Sequence, residues 1–229
     1  IVITGHFGFP TGSAAASRIR HLARGLVELG HQVSVIVMSP SIIEQGDDAC
    51  DGWSRHAGIR YRNARAYLPG AARPSRLRRM VGLVSDMRSD ARRVCATLET
   101  MRASGGVDVV IGYSLYAFGM NQILRYCRST GIPFVADVVE WVGPDSFAGG
   151  KCNPLYWDSE RAIRRLLPKC DGIIAISSYL ERYFQSKGLP TVRVPAIIDL
   201  AEAPEPAGAP ARPRTGRYVL TYLGNMVER

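Results

Sequence analysis

The stretch IVITGHFGFPTGSAAASRIRHLARGLVELGHQVSVIV, residues 1–37, decides the fold. It opens with a short apolar run, IVITG (1–5), of the kind a strand buried on both faces shows. A loop with Gly5, Gly8 and Gly12 follows, and from Ser13 to Leu29 the apolar residues recur with helical spacing. Gly30 is placed to stop that helix, and QVSVIVM (32–38) is a second apolar run. A strand, a glycine turn, a helix and a second strand make one βαβ unit.

The glycine turn poses the first functional question. A dinucleotide fingerprint needs G-x-G-x-x-G, whereas these glycines are three and four apart. The acidic residue expected after the second strand is also absent, because Met38-Ser39-Pro40 stands there. What remains is a glycine-rich loop at a helix N-terminus, whose free N–H groups and positive dipole end suit a phosphate or carboxylate. A tight turn that needs small residues is the alternative, and the residues leave both open.

The same alternation continues outward. IRYRNAR (59–65) alternates with period two. VDVVIG (107–112), PFVADV (133–138), GIIAIS (172–177) and TVRVP (191–195) are further strand candidates. A long helix is expected from Ser75 to about Met101, and others at 115–129, 155–168 and 178–187. The expectation is an α/β fold with a doubly wound, mostly parallel Rossmann-like sheet over residues 1–199, binding ligands at the carboxyl ends of its strands. AEAPEPAGAPARPRTG (201–216) is rich in Ala and Pro and reads as a linker over 200–216. RYVLTYLGN (217–225) then starts a fresh strand, so residues 217–229 read as the start of a truncated second domain. The chain lacks an initiator Met, and an upstream start is expected.

Composition narrows the class. No apolar run approaches the roughly 18 residues that cross a bilayer, and no secretory pattern opens the chain. Five cysteines, Cys50, Cys95, Cys127, Cys152 and Cys170, are scattered without a CxxC pair, which fits a reduced cytoplasmic protein without a disulfide framework or a metal site. The net charge is +9, and eleven arginines against two aspartates between Arg55 and Arg93 account for all of it. Within that segment Leu77, Met80, Val84, Met87, Ala91, Val94 and Leu98 form an apolar stripe, and Arg76, Arg78, Arg79, Arg88, Arg92 and Arg93 crowd the other positions. Such a helix suits an anionic membrane surface, or a core-facing helix with a solvated back. With few aromatics and no recognised module, nucleic acid is not expected as a partner.

Several constellations invite catalytic readings. Thr4-Gly5 with Tyr183-x-x-x-Lys187 suggests an NAD(P)-dependent short-chain dehydrogenase, against which stand the glycine spacing and the position of Lys187 directly before Gly188. Gly112-Tyr113-Ser114 resembles a nucleophile elbow, but Tyr116 replaces its second glycine. All four histidines, His6, His21, His31 and His56, precede Ser114, which excludes that triad order. Asp137 and Glu140 end an apolar strand beside Trp141, where two carboxylates could orient sugar hydroxyls under an indole, or serve as caps and ion-pair partners. Ser177 could touch a ligand or cap the next helix.

FPTGSAAASRIRHLARGLVELGHQVSVIV, PFVADVVEWVG, CDGIIAISSYLERYFQSKG, VRVPAIID and YVLTYLGNMVER, in this order, cover nearly the whole chain. Together they resemble the N-terminal, acceptor-side half of retaining glycosyltransferases of family four, which have the GT-B architecture of two facing Rossmann-like domains. The resemblance implies that the loop around Gly12 and Ser13 faces the diphosphate of a nucleotide-sugar donor. It places Glu140 where relatives carry an acidic residue near the active site, with Asp137 beside it as a second catalytic candidate. Tyr113, Ser114, Trp141 and Ser177 become candidate substrate contacts, with Gly112-Tyr113-Ser114 standing where relatives often carry a His.

The paired glutamates (E-x7-E) that hold the donor belong to the second domain, so residues 1–229 alone are expected to be inactive. No cofactor or metal is expected. Arg76, Arg78 and Arg79 fit an enzyme peripheral to the inner membrane face that uses a saccharide or lipid-linked acceptor in cell-surface polysaccharide or glycolipid assembly. A basic membrane- or polyanion-binding α/β module without catalysis is the alternative from another class.

Overall fold

In the computed structural model the elements follow the chain as β1 (Val2–Gly5), α1 (Ala14–Glu28), β2 (Ser34–Val37), β3 (Ser54–His56), β4 (Ile59–Asn63) and α2 (Arg76–Ser104). Then come β5 (Val110–Tyr113), α3 (Ala117–Thr130), β6 (Phe134–Val138), α4 (Pro154–Arg161), β7 (Gly172–Ala175), α5 (Ser178–Gln185) and β8 (Thr191–Arg193). The structure describes residues 1–38, 52–65 and 76–198, with the backbone alone over 76–84. The expected linker (200–216) and the strand expected at 217–225 lie outside the described residues.

The described residues form one sheet in the order β3-β4-β2-β1-β5-β6-β7-β8, parallel throughout except for the β3–β4 pair. The doubly wound reading therefore holds. β1 is central, with Gly5 paired to Val37 of β2 on one side and to Tyr113 of β5 on the other. From β1 the chain winds outward through α1 to β2, whereas from β5 it winds the opposite way through α3, α4 and α5 to β8. The loops after β1 and β5 therefore diverge and leave a crevice between the carboxyl ends of the two strands.

Alternation along each strand divides the apolar side chains between two cores. Ile3, Val35, Val37 and Ile111 pack with Ile19 and Ala23 of α1. Val2, Ile36, Val110, Phe134 and Ala136 pack on the other face with Leu98 of α2, Met120 and Ile123 of α3, and Phe184 of α5. Each fully buried side chain of this size contributes roughly 1.5–3 kcal/mol. Met87, Ala91, Val94 and Leu98 of the expected α2 stripe are buried. Leu77, Met80 and Val84 fall where only the backbone is described.

Local chemistry sets the ends of the elements. Ser13 accepts from Ala16 N–H at 3.0 Å and caps α1, and the Leu29 and Gly30 N–H groups close its other end on the Gly25 and Val27 carbonyls. Gly5 is required where β1 meets β5, since a Cβ there would sit 2.5 Å from the Tyr113 carbonyl oxygen. Two features depart from expectation. Strand β3 is a three-residue edge strand that folds back on β4. The helix expected at 155–168 ends at Arg161 and continues as a π turn (Ala162–Leu166) and a 3₁₀ turn (Leu167–Lys169). Pro168 has no N–H to extend an α-helix, which accounts for the change in winding.

Candidate functional site

The crevice is bounded on one side by the start of α1. Residues 11–14 are exposed, and Gly12 has φ +100°, a backbone region that glycine enters without strain. Phe7 and Phe9 bury themselves beneath the loop, Phe7 edge-on to Tyr113 at 5.5 Å and Phe9 against Tyr61 at 5.1 Å. These aromatic anchors hold the loop to the sheet while Gly12 and the capped helix end face solvent. Ser13 Oγ accepts the cap hydrogen bond and keeps its own proton, so any anion there would be met by that hydroxyl, by backbone N–H groups and by the helix dipole.

On the other side, the β5–α3 turn carries Ser114, whose φ of +42° is strained for a residue with a side chain. Its N–H donates to the Asp137 carbonyl at 3.1 Å, which ties the turn to β6. Ser114, Tyr116, Glu140 and Ser159 supply polar groups to a narrow cleft over an apolar floor that contains Phe134, Met120 and Ile163. Glu140 is exposed and makes no ion pair among the described residues. Burial raises the Tyr116 phenol above its ordinary value, and the charges of Glu140 and Asp158 add to the shift. Tyr116 therefore stays a neutral hydrogen-bond donor. Tyr113 is also pushed up, first by burial and then by Asp137, against the opposing charge of Arg18.

Asp137 takes the ion-pair role, one of the two parts its place at a strand end left open. It is fully buried, and both of its carboxylate oxygens accept from Arg18 of α1, at 2.9 Å from Nε and 2.8 Å from Nη2. The third arm of Arg18 donates to the Pro195 carbonyl at 2.8 Å. Burial raises the Asp137 carboxyl, and the two Arg18 hydrogen bonds and charge pull it back. The pair fastens α1, β6 and the segment after β8 together, and it engages both Asp137 oxygens within the protein.

Trp141 is likewise engaged within the protein. Its indole N–H donates to Glu160 at 2.6 Å, Arg164 lies 4.9 Å from its ring centre, and Tyr183 packs edge-on at 4.8 Å. Ser177 caps α5 by accepting from Leu180 N–H at 3.3 Å. Tyr183 belongs to this aromatic cluster, and Lys187 lies beyond the end of α5 with its ammonium 5.7 Å from the Tyr183 ring centre. The two side chains meet each other there, not at the crevice. Arg76, Arg78 and Arg79 fall in the first turn of α2, where only the backbone is described.

Two residues of this region are not evident from sequence. Arg18 is one. Asp158 of α4 is the other, 4% exposed, with Oδ2 accepting from Phe118 N–H at 3.4 Å across the N-terminus of α3. Burial raises its carboxyl, against the backbone hydrogen bonds of Phe118 and Ala117. The only hint in the sequence is a carboxylate inside a helix that must pack on the sheet. Among the described residues no group of three or more His, Cys, Asp or Glu side chains could hold a metal ion, and no helix is long and apolar enough to cross a membrane.

An exposed positive helix end and a cleft with one free carboxylate, a neutral phenol and two serine hydroxyls can bind a polar, hydroxyl-bearing ligand with an anionic group. Solved structures with a similar fold include glycosyltransferases. UGT2 of Phytolacca americana, solved with UDP-2fluoro-glucose and pterostilbene, matches with a TM-score of 0.58 at 14% identity, over 87% of this chain and 55% of its own. A sucrose-phosphate synthase from Thermosynechococcus elongatus matches with a TM-score of 0.56 at 14% identity, over 85% and 47%. A UDP-glucosyltransferase from Polygonum tinctorium matches with a TM-score of 0.53 at 15% identity, over 93% and 54%. The chain thus spans about half the length of these structures. No curated protein sequence matches it. The model of the glycosyl transferase 4-like domain matches residues 13–197, most of the chain, and the chain belongs to that family.

Proposed function

We propose that this chain is the acceptor-side half of a retaining glycosyltransferase that moves a sugar from a nucleotide-sugar donor to a saccharide or lipid-linked acceptor. One observation carries the reading: the open N-terminus of α1 follows the carboxyl end of β1, and the Glu140 cleft lies at the carboxyl ends of β5 and β6, the next strands of the sheet. Family membership and the UDP-sugar analogue in the Phytolacca americana structure support it.

In this reading the N–H groups around Gly12 and Ser13 stabilise the departing diphosphate, and charge stabilisation of that kind is the main catalytic demand of such a transfer. The exposed carboxylate of Glu140 and the phenol of Tyr116 orient acceptor hydroxyls, while the apolar floor excludes water. The donor's nucleotide is held mainly by a second domain, no metal takes part, and the product enters cell-surface polysaccharide or glycolipid assembly.

The test is a panel of nucleotide sugars offered to the full-length protein and to residues 1–229, with saccharide and lipid-linked acceptors. Acceptor-dependent release of nucleoside diphosphate by the full-length protein, with the anomeric configuration retained in the product, is expected. Turnover by residues 1–229 alone contradicts the half-site, and an inverted product contradicts retention.

A further inference from the structure

We infer that the surface between α3 and the α4 region is a docking face for an anionic lipid bilayer. Arg125 of α3, Arg161 of α4, Arg164 and Arg165 of the π turn, and Lys169 line one open concavity together with Trp157. All five cations are exposed. Arg164 is paired with Glu160, whereas Arg125, Arg161, Arg165 and Lys169 make no ion pair among the described residues. One carboxylate against five cations leaves the face strongly positive.

Trp157 adds an apolar contact to this charge. Its side chain is 59% exposed, yet its indole N–H already donates to the Lys151 carbonyl at 2.7 Å. The ring needs no polar partner, and it keeps a large apolar surface in water. An apolar aromatic set among arginines and a lysine matches the headgroup zone of a bilayer, where the cations meet phosphates and the ring meets the acyl boundary. A nucleic-acid strand is a poorer fit, because successive bases call for several stacking rings and this face offers one.

The position of the face gives docking a consequence. Ser159, Ala162 and Ile163 of the same helical segment line the Glu140 cleft, while Arg161, Arg164 and Arg165 line the basic face. One segment therefore separates the two, and a bilayer held on its outer side lies one helix thickness from the cleft. Resting on the transferase reading, this places a lipid-linked acceptor within reach of Glu140.

The test is co-sedimentation of the full chain with vesicles of phosphatidylcholine alone and of equal parts phosphatidylcholine and phosphatidylglycerol. Binding is expected only with the anionic vesicles. The triple variant Arg125→Glu, Arg165→Glu, Lys169→Glu should weaken it about tenfold or more. A triple with the same charge change on α1, β3 and β4, Arg24→Glu, Arg55→Glu, Arg60→Glu, should weaken it less than about threefold. Trp157→Ala, a change at an exposed side chain, should lower partition several-fold without changing net charge. Equal loss in both triples, full retention in Trp157→Ala, no binding to the anionic vesicles, or tighter binding to a soluble RNA each overturns the proposal. Binding needs no donor sugar, so a failure of transfer leaves this result standing, and the converse holds as well.

Discussion

Arg18 and Asp137, 119 residues apart in the chain, form a bidentate buried ion pair that joins α1 to β6 beneath the crevice. Two charges taken out of water are tolerated here because each satisfies the other, and because the remaining Arg18 donor reaches the Pro195 carbonyl. Removing one partner strands the other. Asp137→Ala should therefore cost about 3–5 kcal/mol and lower the melting temperature by roughly 10 °C. Chemical denaturation checks this. The double variant Arg18→Met, Asp137→Leu should recover most of the loss, whereas normal stability in Asp137→Ala would remove the anchoring role.

His6 supplies a pH dependence. Burial, with the Arg65 charge second, lowers its pKa from 6.5 to about 4. The unfolded chain takes up this proton as pH falls through 6.5, and the folded protein takes it up only near 4. Stability contributed by His6 is thus full above pH 6.5 and declines between 6.5 and 4, by about 3 kcal/mol in total. Denaturation midpoints measured across that window should slope downward toward acid. In His6→Asn, which has no titrating ring, the slope should shrink by about one proton.

Glu140 separates chemistry from stability. It is exposed and unpaired among the described residues, so Glu140→Gln should shift stability by no more than about 0.5 kcal/mol. In the full-length protein it should lower kcat by about a hundredfold or more if the carboxylate handles the acceptor hydroxyl. Parallel melting and steady-state measurements read both effects.

The strained turn at Ser114 makes a fourth prediction. Its φ of +42° should be relieved in Ser114→Gly, and that gain partly offset by the added freedom of the unfolded chain. Ser114→Gly should consequently be at least as stable as Ser114→Ala, which keeps the strain. A Gly variant less stable than the Ala variant by more than about 1 kcal/mol would show that the turn is not strained.

The sheet was readable because parallel strands buried on both faces appear as unbroken apolar runs, as in VITG, VIGY and GIIA. Strand β3 was not, since three residues, Ser-Arg-His, pair through backbone groups and leave no hydrophobic pattern. The crevice was also legible, because the glycine loop and the ends of two strands locate it. Its polar wiring was not. Asp137 was visible as a carboxylate at a strand end, but its partner lies on the first helix, and Asp158 caps a helix 40 residues away. Side-chain pairs across such separations have no local signature, so the sequence shows where carboxylates are and not whether they are free.

The most direct test of the central claim is the inhibition constant of the released nucleoside diphosphate for the full-length protein and for Gly12→Ala. No atom lies within 4 Å of the added Cβ, so the substitution acts on the backbone at φ +100° and should cost about 1–2 kcal/mol of stability. The account predicts that the inhibition constant and the donor KM rise together by about tenfold, because the N-terminus of α1 no longer presents its N–H groups to the diphosphate. An unchanged inhibition constant in a folded Gly12→Ala protein would contradict it.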